Sequence, residues 1–304
     1  MIRYDLCLAW NWEYDRDFLG LLGQAFRRRR LFLFKVSPGG LESSMASLVR
    51  REATAGVFLD RASEADVRFL PLVDWALGRG VHMLNAHEKA VRAMNKACMH
   101  LEFITAGIHT PYTIILSPWT EQAQLENLDL EPLGTPFFIK PAHGGGGEGV
   151  VHEAETPAQV AVARREFPND HYLLQAHIKP ATLGSRPGWF RVIYCGGLIF
   201  PCWWDQETHV YMPVTDAEAE LYGLEVLTST TVAIAGVCGL DIFSTEIAMT
   251  PARIPVAVDY VNHPIDLRLR STTPDGVPDA IVSAIADRIA DLTRSHLMRQ
   301  APAP

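Results

Sequence analysis

At 304 residues, 48% of them apolar, the chain can bury ordinary cores and hold two or three domain-sized units. Its formal net charge of −8 argues against a general nucleic-acid or anionic-membrane partner, and no run approaches the ~20 apolar residues of a membrane span. Cys7, Cys98, Cys195, Cys202 and Cys238 are odd in number and lack C-x-x-C spacing, so neither a disulfide framework nor a zinc knuckle is indicated; with no cleavable apolar segment at the N-terminus, the chain reads as cytoplasmic and reduced.

Taken in order, Asp5 to Trp10 reads as a first buried strand. A helix follows with Phe18, Leu19, Leu22, Ala25 and Phe26 on one face, and the Arg27 to Arg30 run reads as its solvated end, where cations suit the dipole. Leu31 to Val36 is a second strand, Leu41 to Glu52 a helix, Gly56 to Leu59 a strand, Ser63 or Glu64 to Leu77 a helix, and Val81 to Leu84 a strand. Strands alternating with helices imply a small parallel sheet covered on both faces, ending near residue 85. Ala86 to Ala106 reads as one long helix stopped by Gly107, Ile114 to Leu116 as a strand, and residues 117–134 as a helix with flanking loops. Later come a helix from Thr156 or Pro157 to about Phe167, a strand at Tyr172 to Gln175 and a connection over 177–188. The remainder reads as strands at Phe190 to Tyr194, Leu198 to Trp203, Gly239 to Ala248 and Val256 to Val261, helices at Val226 to Val237 and Pro278 to Met298, and a disordered tail over 301–304.

The most informative stretch is Phe137 to Val151. Phe137 to Ile139 suit a half-buried strand, and Pro141, which cannot donate to a ladder, ends it. Gly144, Gly145, Gly146 and Gly147 let several backbone N–H groups point at one anion, with Lys140 placed to add positive charge. A Walker A loop would need Gly-Lys-Ser/Thr and then a helix, and a dinucleotide fingerprint would also have to open a helix; Val150-Val151-His152 is extended instead. The loop therefore reads as a lid over nucleotide phosphates, with an unliganded surface hairpin as the bland alternative.

Several motifs in order resemble the ATP-grasp superfamily. Asn85, then Asn95-Lys96, then Ala106-Gly107-Ile108-His109-Thr110-Pro111 look like that family's asparagine, Asp-Lys pair and Gly-Ile-Pro-x-Pro segment. Ile139-Lys140-Pro141 and the glycines look like its second lysine and lid, and Gln175-Ala176-His177-Ile178 like its adenine-reading hinge. Trp189-Phe190-Arg191 stands at its Asp-x-Arg, while Gly239-Leu240-Asp241-Ile242-Phe243 and Asp259-Tyr260-Val261-Asn262 stand at its metal strands. The match spans roughly residues 85–270. It implies an α/β chain, α+β in its C-terminal part: a Rossmann-like domain over 1–85, a small ATP-grasp subdomain with the lid over 86–176, and a C-terminal subdomain with the metal site over 177–300.

The resemblance implies ATP and Mg²⁺ as cofactors, with Lys96, Lys140, His143, the four lid glycines and the hinge residues Gln175 to Ile178 on the nucleotide. Arg191 and Lys140 would be the catalytic cations, and Glu246, Asp259 and Asn262 the metal set, with Asp241 competing. Two features depart from the family: Ala176 replaces the hinge glutamate and Asn95 the usual aspartate. Asp259 and Asn262, three apart, face opposite sides of a strand unless a bulge intervenes. Arg268 and Arg270 are candidates for an anionic substrate. The bland alternatives are solvated lysines, an Arg191 paired with a structural carboxylate, and Trp203-Trp204 as core. The activity implied is amide or peptide-like bond formation between a small carboxylate and an amine through an acyl phosphate, with a homodimer as an open assembly state. A kinase or carboxylase on the same site and a non-catalytic nucleotide-binding module are the alternatives.

Overall fold

The computed structural model describes residues 1–125 and 128–300. Strands β1 (Ile2–Trp10), β2 (Leu33–Val36), β3 (Ala53–Arg61) and β4 (His82–Leu84) form a parallel sheet in the order β2-β1-β3-β4, connected by α1 (Arg16–Arg28), α2 (Leu41–Val49) and α3 (Leu70–Gly78). Alternation along β1 sends Leu6 and Leu8 to the face covered by Phe18, Leu19 and Leu22 of α1. Cys7 and Ala9 go to the other face, under Leu48 of α2 and Leu72 of α3. The third helix starts later than its apolar pattern suggests. Asp66 accepts from the N–H of Arg68 and opens a single 3₁₀ turn before Leu70.

The segment read as one helix over residues 86–106 is two, α4 (His87–Met94) and α5 (Lys96–Thr105). Asn95 breaks it because its backbone is extended and its side chain accepts from the N–H of Cys98, capping α5. Next, β5 (Thr113–Leu116), β6 (Phe137–Pro141), β7 (Val151–Ala154) and β8 (Tyr172–Ala176) make an antiparallel sheet in the order β5-β8-β6-β7, backed by α6 (Pro157–Ala163). The helix expected within 117–134 is not formed among the described residues, which hold only a 3₁₀ turn at Glu131–Leu133; positions 126–127 lie outside them. Here the buried Arg164 donates to the carbonyls of Ser117 (2.6 Å) and Gln122 (2.8 Å), so side-chain bonds stand in for helical ones.

A short hairpin, β9 (Thr182–Leu183) and β10 (Arg186–Pro187), leads to β11 (Trp189–Cys195), β12 (Leu198–Trp204) and β13 (Tyr211–Pro213). Helices α7 (Asp216–Tyr222) and α8 (Glu225–Cys238) and strands β14 (Ile242–Met249) and β15 (Pro255–Asn262) follow. The five longer strands form an antiparallel sheet in the order β13-β12-β11-β14-β15. The sequence reading missed α7, although Thr215 and Glu218 form a full capping box. Trp203 and Trp204 are core, 4% and 8% exposed. All five cysteines are free thiols, and no single helix among the described residues is long and apolar enough to cross a membrane.

The last helix, α9 (Asp279–Gln300), returns to the parallel sheet beside α1, and the tail expected to be disordered lies outside the described residues. Its carboxylates change the meaning of the arginine run. Arg28 and Arg29 are not merely a solvated helix end: Arg29 takes Asp291 in a fork (2.8 and 2.9 Å) and Asp287 at 2.6 Å, and Arg28 takes Asp287 at 2.7 Å.

The edge strand β4 meets the same helix through His82 and His296, whose rings stack with centroids 3.9 Å apart. Both imidazoles are held below their usual value, by burial first; Arg299 adds to the effect at both, and His82 also bears on His296. A depressed folded value means that the unfolded chain binds the extra protons as pH falls through about 6.5. This contribution is therefore complete above that pH and is lost as pH falls through the lower folded values. Thermal melts between pH 7.5 and 5 are expected to fall less steeply for His296→Phe than for the parent. Equal slopes would show the stack to be uninvolved.

Candidate active site

Period-2 alternation divides the small sheet. Phe137 and Ile139 are fully buried under α6, while Phe138 and Lys140 point to the opposite face, towards the large sheet. Lys140 donates to Oε1 of Gln175 (2.7 Å), and Gln175 donates to the Tyr260 hydroxyl (2.9 Å), which meets Nδ1 of His100 at 2.6 Å. Gln175 thus orients the lysine with its side chain. On the same face His177 stacks on Phe138 (4.0 Å) and its Nε2 donates to the carbonyl of His152 (2.9 Å). Ala176 and Ile178 flank that stack at the end of β8.

Across the cleft the large sheet carries a row of charges. Arg191 on β11 lies opposite Glu246 on β14, and Glu246 opposite Asp259 on β15. Register irregularities on both sides of Glu246 supply the bulge that the Asp259/Asn262 spacing requires. Asn262 pairs with Ser244 and Asp259 with Glu246, so both share a face, and Asn262 donates to Asp259 at 2.9 Å. Arg191 holds Glu246 at 3.2 Å, as does Nε1 of Trp189, and the guanidinium lies 4.9 Å from the Trp204 ring. The structural pairing of Arg191 is therefore real, and its partner belongs to the same cluster.

Opposite charges on the two walls act on one another. Burial pushes Lys140 down, against the pull of Asp259 and Glu246. It would raise Asp259, but Lys140, Arg191 and Lys96 hold that carboxylate below its usual range. Glu246 stays above its usual range, through burial and despite Arg191. Two adjacent carboxylates are thus driven apart, one firmly ionised and one reluctant. Burial opposes the charge on Arg191, yet Tyr211, Glu246, Asp259 and Asp266 outweigh it.

Lys96, the first residue of α5, completes the cation pair. Burial lowers it while Asp259, Asp170 and Glu64 pull it up, and its Nζ donates to the carbonyl of Gly144 at 2.5 Å. The loop it touches is a true hairpin turn between β6 and β7. Gly144, Gly146, Gly147 and Gly149 have positive φ, and a Cβ on Gly149 would lie 2.6 Å from Phe167. Gly145 lies in the same open arc. His143 points to Asp170 and Asn95, on the near side of the loop.

Three predicted residues are not brought into this cluster. Asp241 sits just before β14, five positions from Glu246 or roughly 15 Å along the strand, with Lys89 as its charged neighbour. Its N–H and that of Ile242 donate to Asn85, a buried staple at the end of β4. Arg268 is already forked by Asp266 (2.7 and 2.9 Å) and paired with Asp275 (2.8 Å), while Arg270 donates to the carbonyl of Tyr211. Two residues that the sequence reading missed do face the site. Glu64, beyond the carboxyl end of β3, is pushed up to about 7 by burial and Asp60, against Lys96. Asp170 ends the turn before β8. The first carries a readable signal, since ligands of parallel sheets gather at the strands' carboxyl ends.

Two antiparallel sheets packed beside a parallel sheet give the chain the ATP-grasp fold. The chain superposes on an ATP-grasp RimK domain protein from Sphaerobacter thermophilus with a TM-score of 0.65 at 20% identity, covering 95% of this chain and 99% of that one. It is also similar to the ATP-grasp ligase PsnB in complex with minimal precursor, Mg and ADP, with a TM-score of 0.65 at 12% identity, covering 98% and 100%. In sequence, 91 residues are 37% identical to a D-alanine–D-alanine ligase of Mycolicibacterium smegmatis, 29% of this chain. The chain thus matches about a fifth, 21%, of that curated relative's length. No family model matches the chain.

Proposed function

We propose that the chain is an ATP-dependent carboxylate–amine ligase working through an acyl phosphate. The observation that supports this reading is that Lys96 and Lys140 both lie near enough to Asp259 for opposite charges to act between them, with the glycine hairpin held on Lys96. The lid's bare backbone and the two lysines would grip the β- and γ-phosphates, and the hinge at Ala176, His177 and Ile178 would read the base. Glu246, Asp259 and Asn262 offer oxygen donors that suit magnesium, which would neutralise charge at the phosphates. Among the described residues no three His, Cys, Asp or Glu side chains gather as a metal site by themselves.

Arg191 supplies a planar fork for the moving phosphoryl group. The substrate carboxylate oxygen forms a bond to the γ-phosphorus as the bond to the β-phosphate oxygen breaks, releasing ADP. The amine then bonds to the acyl carbon, phosphate leaves, and the amine gives up a proton. No side-chain nucleophile is needed; positioning and charge stabilisation suffice. The shared face of Asp259 and Asn262 lets both side chains serve one ion, which favours a catalytic site over a non-catalytic nucleotide-binding module. The test is product analysis with ATP, Mg²⁺ and amino-acid mixtures. ADP with phosphate is expected, and AMP with pyrophosphate would sink the mechanism.

A further inference from the structure

The first limb of the lid is fastened at three successive residues. The carbonyl of Ala142 accepts from the N–H of Lys96 (2.8 Å), and that of Gly144 accepts from its ammonium. Between them the backbone N–H and ring Nδ1 of His143 both meet the Asp170 carboxylate at 2.8 Å, while Nε2 faces Nδ2 of Asn95 at 3.2 Å.

The roles along this chain are forced. Oδ1 of Asn95 is committed to the N–H of Cys98, so the amide cannot turn round without losing the cap of α5. Its NH₂ must then donate to Nε2, which leaves the ring's one proton on Nδ1, aimed at Asp170. The charged groups around the ring are Asp170 and, beside Gly144, Lys96, with Glu148 further along the loop.

We propose that His143, with its proton on Nδ1, is a positioning residue that relays Asp170 to Asn95 and thereby sets where the lid and Lys96 meet the triphosphate. This rests on the nucleotide site described above. The amide at position 95 gives the relay its direction: asparagine can donate to a bare ring nitrogen, whereas an aspartate there could only accept from a protonated one. A second ring proton would oppose the Asn95 amide and open the link between lid and α5.

The test is direct binding of a fluorescent ATP analogue with Mg²⁺ at pH 7.5 and 5.5. The parent is expected to weaken about tenfold more between those values than His143→Ala, which is weak, by about tenfold, at pH 7.5 already. Asn95→Asp keeps a good cap and should bind nearly as well at pH 5.5 as at 7.5. Titration of the nucleotide itself is common to all three and cancels. Parent-like binding by His143→Ala, or a parent-like pH dependence in Asn95→Asp, overturns the relay alone. No binding by the parent at either pH removes both the relay and the nucleotide site.

Discussion

Lys140→Ala is expected to lose turnover by a factor of about 10²–10³ in kcat/KM, the scale of removing one preorganised charge-stabilising group. The lysine is oriented by Gln175 and faces Asp259 and Glu246 in a desolvated cleft, where a charge acts with little screening. Its removal also takes from Asp259 the first of the cations that hold it ionised, so the acidic strands should lose affinity for a divalent ion. Arginine should rescue poorly, because its planar fork cannot occupy the socket of a point charge beside Gln175. Steady-state kinetics with ATP varied, alongside circular dichroism to confirm folding, decides the matter. Undiminished turnover would mean that the lid assignment is wrong.

The largest stability effect is expected at Asp15. Its carboxylate, 1% exposed, takes the Arg61 guanidinium in a fork at 2.6 and 2.9 Å, and Arg61 also donates to the carbonyl of Ile265 at 3.0 Å. One pair thus joins the turn after β1, the end of β3 and the strap after β15. Asp15→Ala strands a buried guanidinium and should cost about 3–5 kcal/mol in chemical denaturation. The double change Asp15→Ala with Arg61→Met should cost less, because no charge is left unpaired. A single-variant loss below about 1 kcal/mol would show that water already reaches the pair.

How far the site could be read in advance varied with the range of the interaction. The glycine turn and the strand ending beside Lys140 were legible because backbone permission and strand termination are local properties. The Asp259/Asn262 spacing looked wrong on a regular strand, and only the pairing with β14 revealed the irregular register that puts both on one face. Arg268 looked free as a residue, yet Asp266 and Asp275 already hold it. Its neutralisation depends on how the strap folds back, which no spacing encodes.

By itself the sequence determined the alternation of strands and helices, the extended exit from the glycine lid and the order of the motifs, since each follows from side-chain period, backbone permission or capping within a few residues. The split of one helix pattern at Asn95 went unread, although the cap that makes it is local. Tertiary structure alone decided which charges meet: Asp15 with Arg61, His143 with Asp170, and the arginines of α1 with the aspartates of α9. Those contacts join segments up to 262 residues apart, and their energies exist only once desolvation and register have brought the partners together.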